Sequence, residues 1–388
     1  MEIERVGVVG AGLMGSGIAE VCARAGLSVA VLEVTVDAAE RGRSKIVGSL
    51  DRGLRSGKLS EEERDSAIAR LSFTTDFAEL SDRQLVVEAV IEDEGLKTNV
   101  FRELDKAVTD PQAILASNTS SIPIMKLGIA TQRPEQVIGI HFFNPAPVLP
   151  LVEIVPGVVT GPAVTEQSVT LVDSWGKTTV VASDTPGFIV NRIARPFYSE
   201  ALRIYEEGIA DKATIDWAMK EAGFKMGPFE LMDLIGNDVN YAVSASVFEA
   251  FGYDPKYRPF LSQKRLVDGG LYGRKTGRGH FDYRPGAVNP EPTRDAALAE
   301  LIAPRVIAVL INAAADALLW RVASAKDLDL AMTKGVNYPK GLLAWADDLG
   351  PAIVLARLDQ LFAEYGDDRY RASPMLKRVA AAKGRFHE

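Results

Sequence analysis

Arg5-Val6-Gly7-Val8-Val9-Gly10-Ala11-Gly12-Leu13-Met14-Gly15 reads as a short apolar strand running straight into a G-x-G-x-x-G turn, with a helical pattern behind it. Each glycine has its own reason to be there. Gly10 permits the tight turn, Gly12 lets a pyrophosphate approach the backbone, and Gly15 lets helix and strand pack closely. The phosphates then rest on the helix N-terminus, where N–H groups and the dipole favour anions. Glu33, at the end of the next apolar run, supplies a carboxylate that accepts hydrogen bonds from ribose hydroxyls and repels a 2′-phosphate. Strand, turn, helix and acid together predict an NAD site rather than an NADP site, built from Gly10, Ala11, Gly12, Leu13, Met14, Gly15 and Glu33. The bland alternative is a glycine-rich turn that binds nothing beside a solvated Glu33.

Outward from this stretch, short β-branched runs alternate with helical patterns up to about residue 182. Strands are expected at Arg5–Val9, Ser28–Leu32, Leu85–Val90, Ala113–Ala116, Val137–Phe142, Leu151–Val155 and Thr178–Val181. Several are continuously apolar, as strands buried on both faces are, so the fold class is α/β with a Rossmann-type doubly wound sheet. Beyond Pro186 the chain reads as helices over 187–206, 212–221, 228–251 and 259–268. A Pro/Gly-rich segment follows, and helical pattern resumes from about 295 to 382. The two helical blocks resemble each other: Asp216-Trp217-Ala218-Met219 aligns with Asp329-Leu330-Ala331-Met332, Gly236 with Gly350, Gly252 with Gly366 and Tyr257 with Tyr370. The expected domains are a cofactor-binding domain over 1–185, a helical domain over 186–284, a linker over 285–300 and a degenerate second helical copy over 301–388.

Composition excludes several classes. The 388 residues carry 44 Lys+Arg against 52 Asp+Glu, a net charge of −8, which argues against a nucleic-acid binder. A single cysteine, Cys22, forms no intramolecular disulfide, and three scattered histidines make no metal site, so no metal is expected. No uncharged apolar run reaches about 18 residues, so no membrane span is expected, and the setting reads as cytoplasmic.

Three later stretches carry polar residues where a plain sheet carries none: Ala116-Ser117-Asn118-Thr119-Ser120-Ser121, Ile140-His141-Phe142-Phe143-Asn144-Pro145, and Asp184-Thr185-Pro186-Gly187-Phe188-Ile189-Val190-Asn191-Arg192. The first two end sheet strands, where ligands bind in doubly wound folds. His141 suits general-base work near neutrality, and Glu153, one strand later, suits a role in orienting it. Taken singly, His141 also fits a satisfied core histidine, Glu153 a solvated strand end, Ser120 a helix cap, and Asn191 a turn exit.

Together these stretches resemble the L-3-hydroxyacyl-CoA dehydrogenase family, over essentially the whole chain. Val86-Val87-Glu88-Ala89-Val90-Ile91-Glu92-Asp93 with Lys97, the Ser-Asn-Thr-Ser-Ser run, His-Phe-Phe-Asn-Pro and Asp-Thr-Pro-Gly-Phe-Ile-Val-Asn-Arg carry the likeness in order. So do Gly227-Pro228-Phe229-Glu230-Leu231-Met232-Asp233-Leu234-Ile235-Gly236 and Gly273-Arg274-Lys275-Thr276-Gly277-Arg278-Gly279. The resemblance implies His141 as base, Glu153 as its partner, and Ser120 and Asn191 as hydrogen-bonding groups around the reacting oxygens. It implies Glu92, Lys97, Ser120 and Asn144 near the nicotinamide half of NAD. His280 stands where the family usually has an aromatic residue and is expected to be structural.

An anionic CoA thioester needs a local basic surface. Between Glu40 and Lys58 six basic side chains face two acidic ones, and Arg41, Lys45, Arg52 and Arg55 share one face if the segment is helical. An ordinary solvated face fits this as well; the resemblance tips it towards CoA, with Ser49 and Arg52 as contacts. Competing readings are a dehydrogenase of a free 3-hydroxyacid or sugar acid, and a non-catalytic NAD-binding, crystallin-like protein. In the second helical copy Pro304 falls at the place of Asn191, so that copy is expected to lack chemistry. Its apolar face from Val306 to Trp320 is expected to pack on the first copy as a dimer-like partner within one chain, because family members with one helical domain dimerise through it. Substituting Pro304 by Asn is expected to act only at a helix start.

Overall fold

The apolar run Arg5–Val9 lies in the middle of a sheet. In a computed structural model that describes residues 3–387, the chain divides into two compact units, one ending at Phe188 and the other beginning at Ile189. The first unit contains β1 (Arg5–Val9), α1 (Leu13–Arg24), β2 (Ser28–Leu32), α2 (Val36–Arg55), α3 (Glu61–Ala69), β3 (Leu71–Thr74) and β4 (Leu85–Glu88). It continues with α4 (Glu94–Ala107), β5 (Ile114–Ser117), α5 (Ile124–Gly128), β6 (Val137–Phe142), β7 (Leu151–Pro156), α6 (Pro162–Ser174) and β8 (Thr178–Val181). The strands form one sheet in the order β3-β2-β1-β4-β5-β6-β7-β8, parallel except where β6 meets β7. Strand order reverses between β1 and β4, which puts the ligand crevice at their carboxyl ends. Val6, Val8, Leu85, Val86, Val87 and Ile140 are fully buried, as strands covered on both faces require.

Three strand boundaries differ from expectation, the smallest being β7, which runs one residue past Val155 to Pro156. The strand expected to reach Val90 stops at Glu88, because the Val90 N–H turns back to the Glu88 carboxylate at 2.6 Å. The strand expected at Ala113–Ala116 runs instead from Ile114 to Ser117. An edge strand, β3, was not anticipated; none of its four residues is buried, so its pattern has no clean alternation.

The second unit is helical: α7 (Val190–Ile193), α8 (Arg195–Glu206), α9 (Lys212–Glu221), α10 (Pro228–Ile235), α11 (Asn237–Ala250) and α12 (Leu261–Asp268), then α13 (Ala296–Leu319), α14 (Ala325–Gly335), α15 (Leu342–Leu349), α16 (Pro351–Tyr365) and α17 (Pro374–Ala381). The helix expected over 187–206 is two helices, with Pro196 in the first turn of α8, where a missing N–H is tolerated. The one expected over 228–251 breaks at Gly236, whose φ of 102° no helix accommodates. The linker expected over 285–300 ends early: Asp295 caps α13 through the Ala297 N–H at 2.8 Å, so Ala296 is already helical. Pro304 therefore lies inside α13 and not at a helix start, which corrects that expectation.

The two halves of this unit repeat their local chemistry. The Asp216 carboxylate accepts from the N–H groups of Phe229 and Glu230, both at 2.9 Å; Asp329 accepts from Leu343 and Ala344 at 2.8 and 2.9 Å. Gly236 and Gly350 both take positive φ ahead of the next helix. Asp233 receives the N–H groups of His280 and Phe281, and Asp347 those of Phe386 and His387. His280 is packed edge-on to Phe229, and burial pushes its pKa well below the ordinary imidazole value.

Helix α13 is long and apolar enough to cross a membrane by length and composition alone, but here it is the central helix of the unit, packed on α8, α9, α15, α16 and α17. Its residues Val306–Ala315 are buried, whereas Trp320 is exposed and does not belong to the packed face expected of it. Charged groups tie the halves together. Arg305 Nε donates to Glu200 at 2.5 Å, the Tyr370 hydroxyl donates to the same carboxylate at 2.6 Å, Arg203 pairs with Asp367 at 2.8 Å, and Lys256 pairs with Asp316.

Candidate active site

The glycine-rich turn has the geometry its three glycines require. Gly10 sits at φ 92°, and a Cβ there would stand 2.9 Å from the Ala89 carbonyl oxygen. A Cβ on Gly15 would be 1.8 Å from the Gly10 carbonyl oxygen, so helix and strand could not close up. A Cβ on Gly12 would meet nothing within 4 Å. Open space at Gly12, the N-cap of α1, together with an N-cap residue that brings no side-chain acceptor, fits the pyrophosphate of NAD. Helix α2 presses on the same turn through Gly42, where a Cβ would come within 2.3 Å of the Ala11 Cβ. Glu33 follows β2, and its Oε1 accepts from the Ala11 N–H at 2.6 Å while Oε2 accepts from Val34 N–H at 3.1 Å. Glu33 thus braces the turn as well as presenting a carboxylate beside it. Leu13 and Met14 open α1, and Leu13 is exposed.

A chain of carboxylates and hydroxyls crosses the ends of β4 and β5. Glu88, at the end of β4 and fully buried, accepts from Lys97 Nζ at 2.7 Å, Ser117 Oγ at 2.6 Å and its own Val90 N–H. Lys97 is only 1% exposed; its ammonium also faces Glu92 Oε2 at 3.3 Å and the Val90 carbonyl at 3.4 Å. Its three donors are thereby engaged within the protein. Glu92 Oε1 then gathers the turn after β5: Thr119 Oγ1 at 2.6 Å, Ser121 Oγ at 2.8 Å, and the N–H groups of Ser120 and Ser121 at 3.0 and 3.1 Å. Desolvation pushes the Glu92 pKa up, but Lys97 and these hydrogen bonds outweigh it and hold the carboxyl below its ordinary value. In the sequence Glu88, Ser117, Thr119 and Ser121 have a place in these motifs but no role of their own; the signal for Glu88 is an acid closing an otherwise apolar strand.

His141 and Glu153 meet across the antiparallel pair β6–β7, where they are direct register partners. His141 Nδ1 lies 2.6 Å from Glu153 Oε2, with His141 6% and Glu153 0% exposed. Phe143 and Phe188 stand edge-on to the imidazole at 4.6 and 5.6 Å between ring centres, and the Phe142 N–H donates to Asn118 Oδ1 at 2.8 Å. Asn144 is exposed on the loop that leaves β6. That loop is held by Lys177, whose ammonium donates to the carbonyls of Ala146 and Leu149 at 2.5 and 3.0 Å.

Ser120, half-buried, belongs with His141 and Glu153 to the first unit, whereas Asn191 lies in α7 of the second. Helix α2 is continuous despite Gly42, Gly48 and Gly53, and Arg41, Lys45, Arg52 and Arg55 are exposed along it. Glu20, a buried acid beside α2, has its pKa raised by burial against the lowering effects of Ser49, Arg24 and Arg52.

Residues 5–185 match the family model described as 3-hydroxyacyl-CoA dehydrogenase, NAD binding domain. The model of the same family's C-terminal domain matches twice, at 187–283 and 301–386. The chain belongs to the 3-hydroxyacyl-CoA dehydrogenase family. This dehydrogenase is accordingly an NAD-dependent oxidoreductase with a Rossmann-like sheet and a helical C-terminal part. It is 37% identical to a 3-hydroxyadipyl-CoA dehydrogenase of Escherichia coli K12, over 98% of each chain. It is 50% identical to a 3-hydroxybutyryl-CoA dehydrogenase of Mycobacterium tuberculosis, over 72% of this chain and 99% of the relative. The crystal structure of 3-hydroxybutyryl-CoA dehydrogenase from Escherichia coli K12 superposes with a TM-score of 0.93 at 36% identity, covering 99% of both chains.

Proposed function

We propose that this dehydrogenase oxidises the 3-hydroxyl of an L-3-hydroxyacyl-CoA to the ketone, with His141 as general base and Glu153 as its partner. The observation that carries this reading is the buried 2.6 Å contact between Nδ1 and the Glu153 carboxylate. With Nδ1 committed to Glu153, Nε2 is the atom left to take the hydroxyl proton, and the carboxylate stabilises the imidazolium that results. NAD would supply the acceptor for the hydride from C3, with its pyrophosphate on the Gly10–Gly15 turn and its adenosine ribose at Glu33. Ser120 and Asn191 hydrogen-bond the reacting oxygen; Glu92, anchored by Lys97, keeps the Thr119–Ser121 turn in place. Ser120 and Asn144 line the nicotinamide side. Ser49 and Arg52, on the basic face of α2, receive the CoA phosphates.

The chemical setting is acyl-CoA degradation in the cytoplasm. The domain division we favour is a cofactor-binding domain, a first helical copy that supplies Asn191, and a second copy that packs on it as a dimer-like partner within the chain. The ion pairs of Arg305, Arg203 and Lys256 across the two halves support this last reading.

The test is NADH formation with 3-hydroxybutyryl-CoA set against free 3-hydroxybutyrate at equal concentrations. Oxidation of the thioester with little or none of the free acid supports the assignment; the opposite preference would assign the pocket to free hydroxyacids.

A further inference from the structure

The repeat inside the second unit shows which polar residues its packing does not need. Equivalent positions are set by matching turns: Gly208 and Arg321 both take positive φ after their helices, Asp211 and Ser324 cap α9 and α14, and Gly236 and Gly252 match Gly350 and Gly366. In this register Arg195, Asn240 and Ser244 of the first half correspond to Ala308, Val354 and Leu358 of the second, all three buried and apolar. The same helix–helix packing is thus completed without a charge where Pro304 replaces Asn191, and with a guanidinium where Asn191 is present.

That guanidinium is poorly matched to its surroundings. Arg195 is 6% exposed and forms no ion pair among the described residues. Its Nε donates to the Asn191 carbonyl at 3.1 Å, and Nη1 to the Asn240 carbonyl at 3.4 Å and Ser244 Oγ at 3.2 Å, all neutral acceptors. It lies over the Tyr198 ring at 4.9 Å, and Phe197 packs against both Tyr198 and Tyr338, at 5.6 and 5.7 Å between ring centres. The Tyr338 hydroxyl is buried with no hydrogen-bond partner among the described residues. A buried cation without a counter-charge is costly, and a buried hydroxyl without an acceptor adds to that cost. A carboxylate satisfies both, since the planar guanidinium fork matches it.

Side chains on a helix lean towards its N-terminus, so Arg195 reaches back along α8 to Asn191, about 6 Å or one turn away. We infer that Arg195, with the Tyr338 hydroxyl, receives a carboxylate at the far end of the acyl chain, making CoA thioesters of 3-hydroxy dicarboxylic acids the preferred substrates. The inference rests on the proposed substrate contact at Asn191.

The test is steady-state kinetics of the full-length protein with 3-hydroxyadipyl-CoA and 3-hydroxybutyryl-CoA, which differ in bearing or lacking the terminal carboxylate. The wild type is expected to favour the adipyl thioester. Arg195→Met is expected to lower kcat/KM for it by ~30-fold or more, mainly through KM, as loss of one partner of a desolvated charge pair does. The butyryl thioester should change by less than ~3-fold. Tyr338→Phe, which keeps the ring in place, is expected to lower kcat/KM for the adipyl thioester alone, and decides the matter if Arg195→Met does not fold. Equal losses on both thioesters overturn the inference, because a residue serving the CoA phosphates or the fold acts on both. An unchanged ratio in both variants overturns it too. A wild type that oxidises neither thioester overturns the proposed function itself, whereas one that oxidises both with the ratio insensitive to Arg195 and Tyr338 overturns only the carboxylate receptor.

Discussion

His141 and Glu153 face each other across the one antiparallel strand pair in the sheet, with Nδ1 2.6 Å from Oε2 and both side chains buried. Side chains alternate along a strand, so a slip of one residue between β6 and β7 would send Glu153 to the opposite face. Glu153→Gln keeps a hydrogen-bond acceptor for Nδ1 and removes the charge that stabilises the imidazolium. Turnover is expected to fall ~10-fold or more, with NAD affinity within ~3-fold; stopped-flow NADH absorbance and isothermal titration measure the two.

Lys97→Met is expected to destabilise the first unit by about 3–5 kcal/mol, because it leaves Glu88 charged and buried without its partner. Urea unfolding followed by tryptophan fluorescence reads this. A loss near zero would mean that the pair Lys97–Glu88 holds nothing in place.

Glu92 also has a pH signature. Its folded pKa lies below the ordinary 4.5, so its stabilising contribution is complete above that value and disappears as pH falls through the folded pKa. Wild type is therefore expected to exceed Glu92→Gln in thermal stability at pH 7, and the gap should narrow towards pH 3. A gap independent of pH would contradict the ionic role assigned to Glu92.

Replacing Glu33 by Ser is expected to narrow the preference for NAD over NADP, since repulsion of a 2′-phosphate goes with the carboxylate. Because Glu33 also accepts the Ala11 N–H, NAD affinity should fall at the same time. Titration with both cofactors checks both effects.

Much of this was legible in the sequence, for a physical reason in each case. A glycine needed for close approach has no substitute, so Gly10, Gly12 and Gly15 announce the turn, and buried parallel strands announce themselves by unbroken apolar runs. His141 and Glu153 carry no such signal singly; their pairing depends on the register of β6 and β7. The Glu88–Lys97 pair was hidden because it joins a strand end to the next helix. Arg195 was hidden because an arginine in an amphipathic helix reads as surface, and only the comparison with Ala308 shows that it is not required there. The break at Gly236 was missed because apolar periodicity continues on both sides of it.

One NAD per chain is expected by calorimetry, because the second helical copy has Pro304 at the place of Asn191 and no cofactor-binding unit before it. Pro304→Asn should leave that stoichiometry at one. Two sites per chain would refute the reading of the second copy as a partner without chemistry.

The most direct measurement of the central claim is the turnover of His141→Ala with 3-hydroxybutyryl-CoA and NAD, alongside its NAD affinity. The account expects turnover lowered by at least ~10²-fold, the low end for loss of a general base, with the NAD Kd within ~3-fold of wild type. Turnover close to wild type in a folded variant would contradict it.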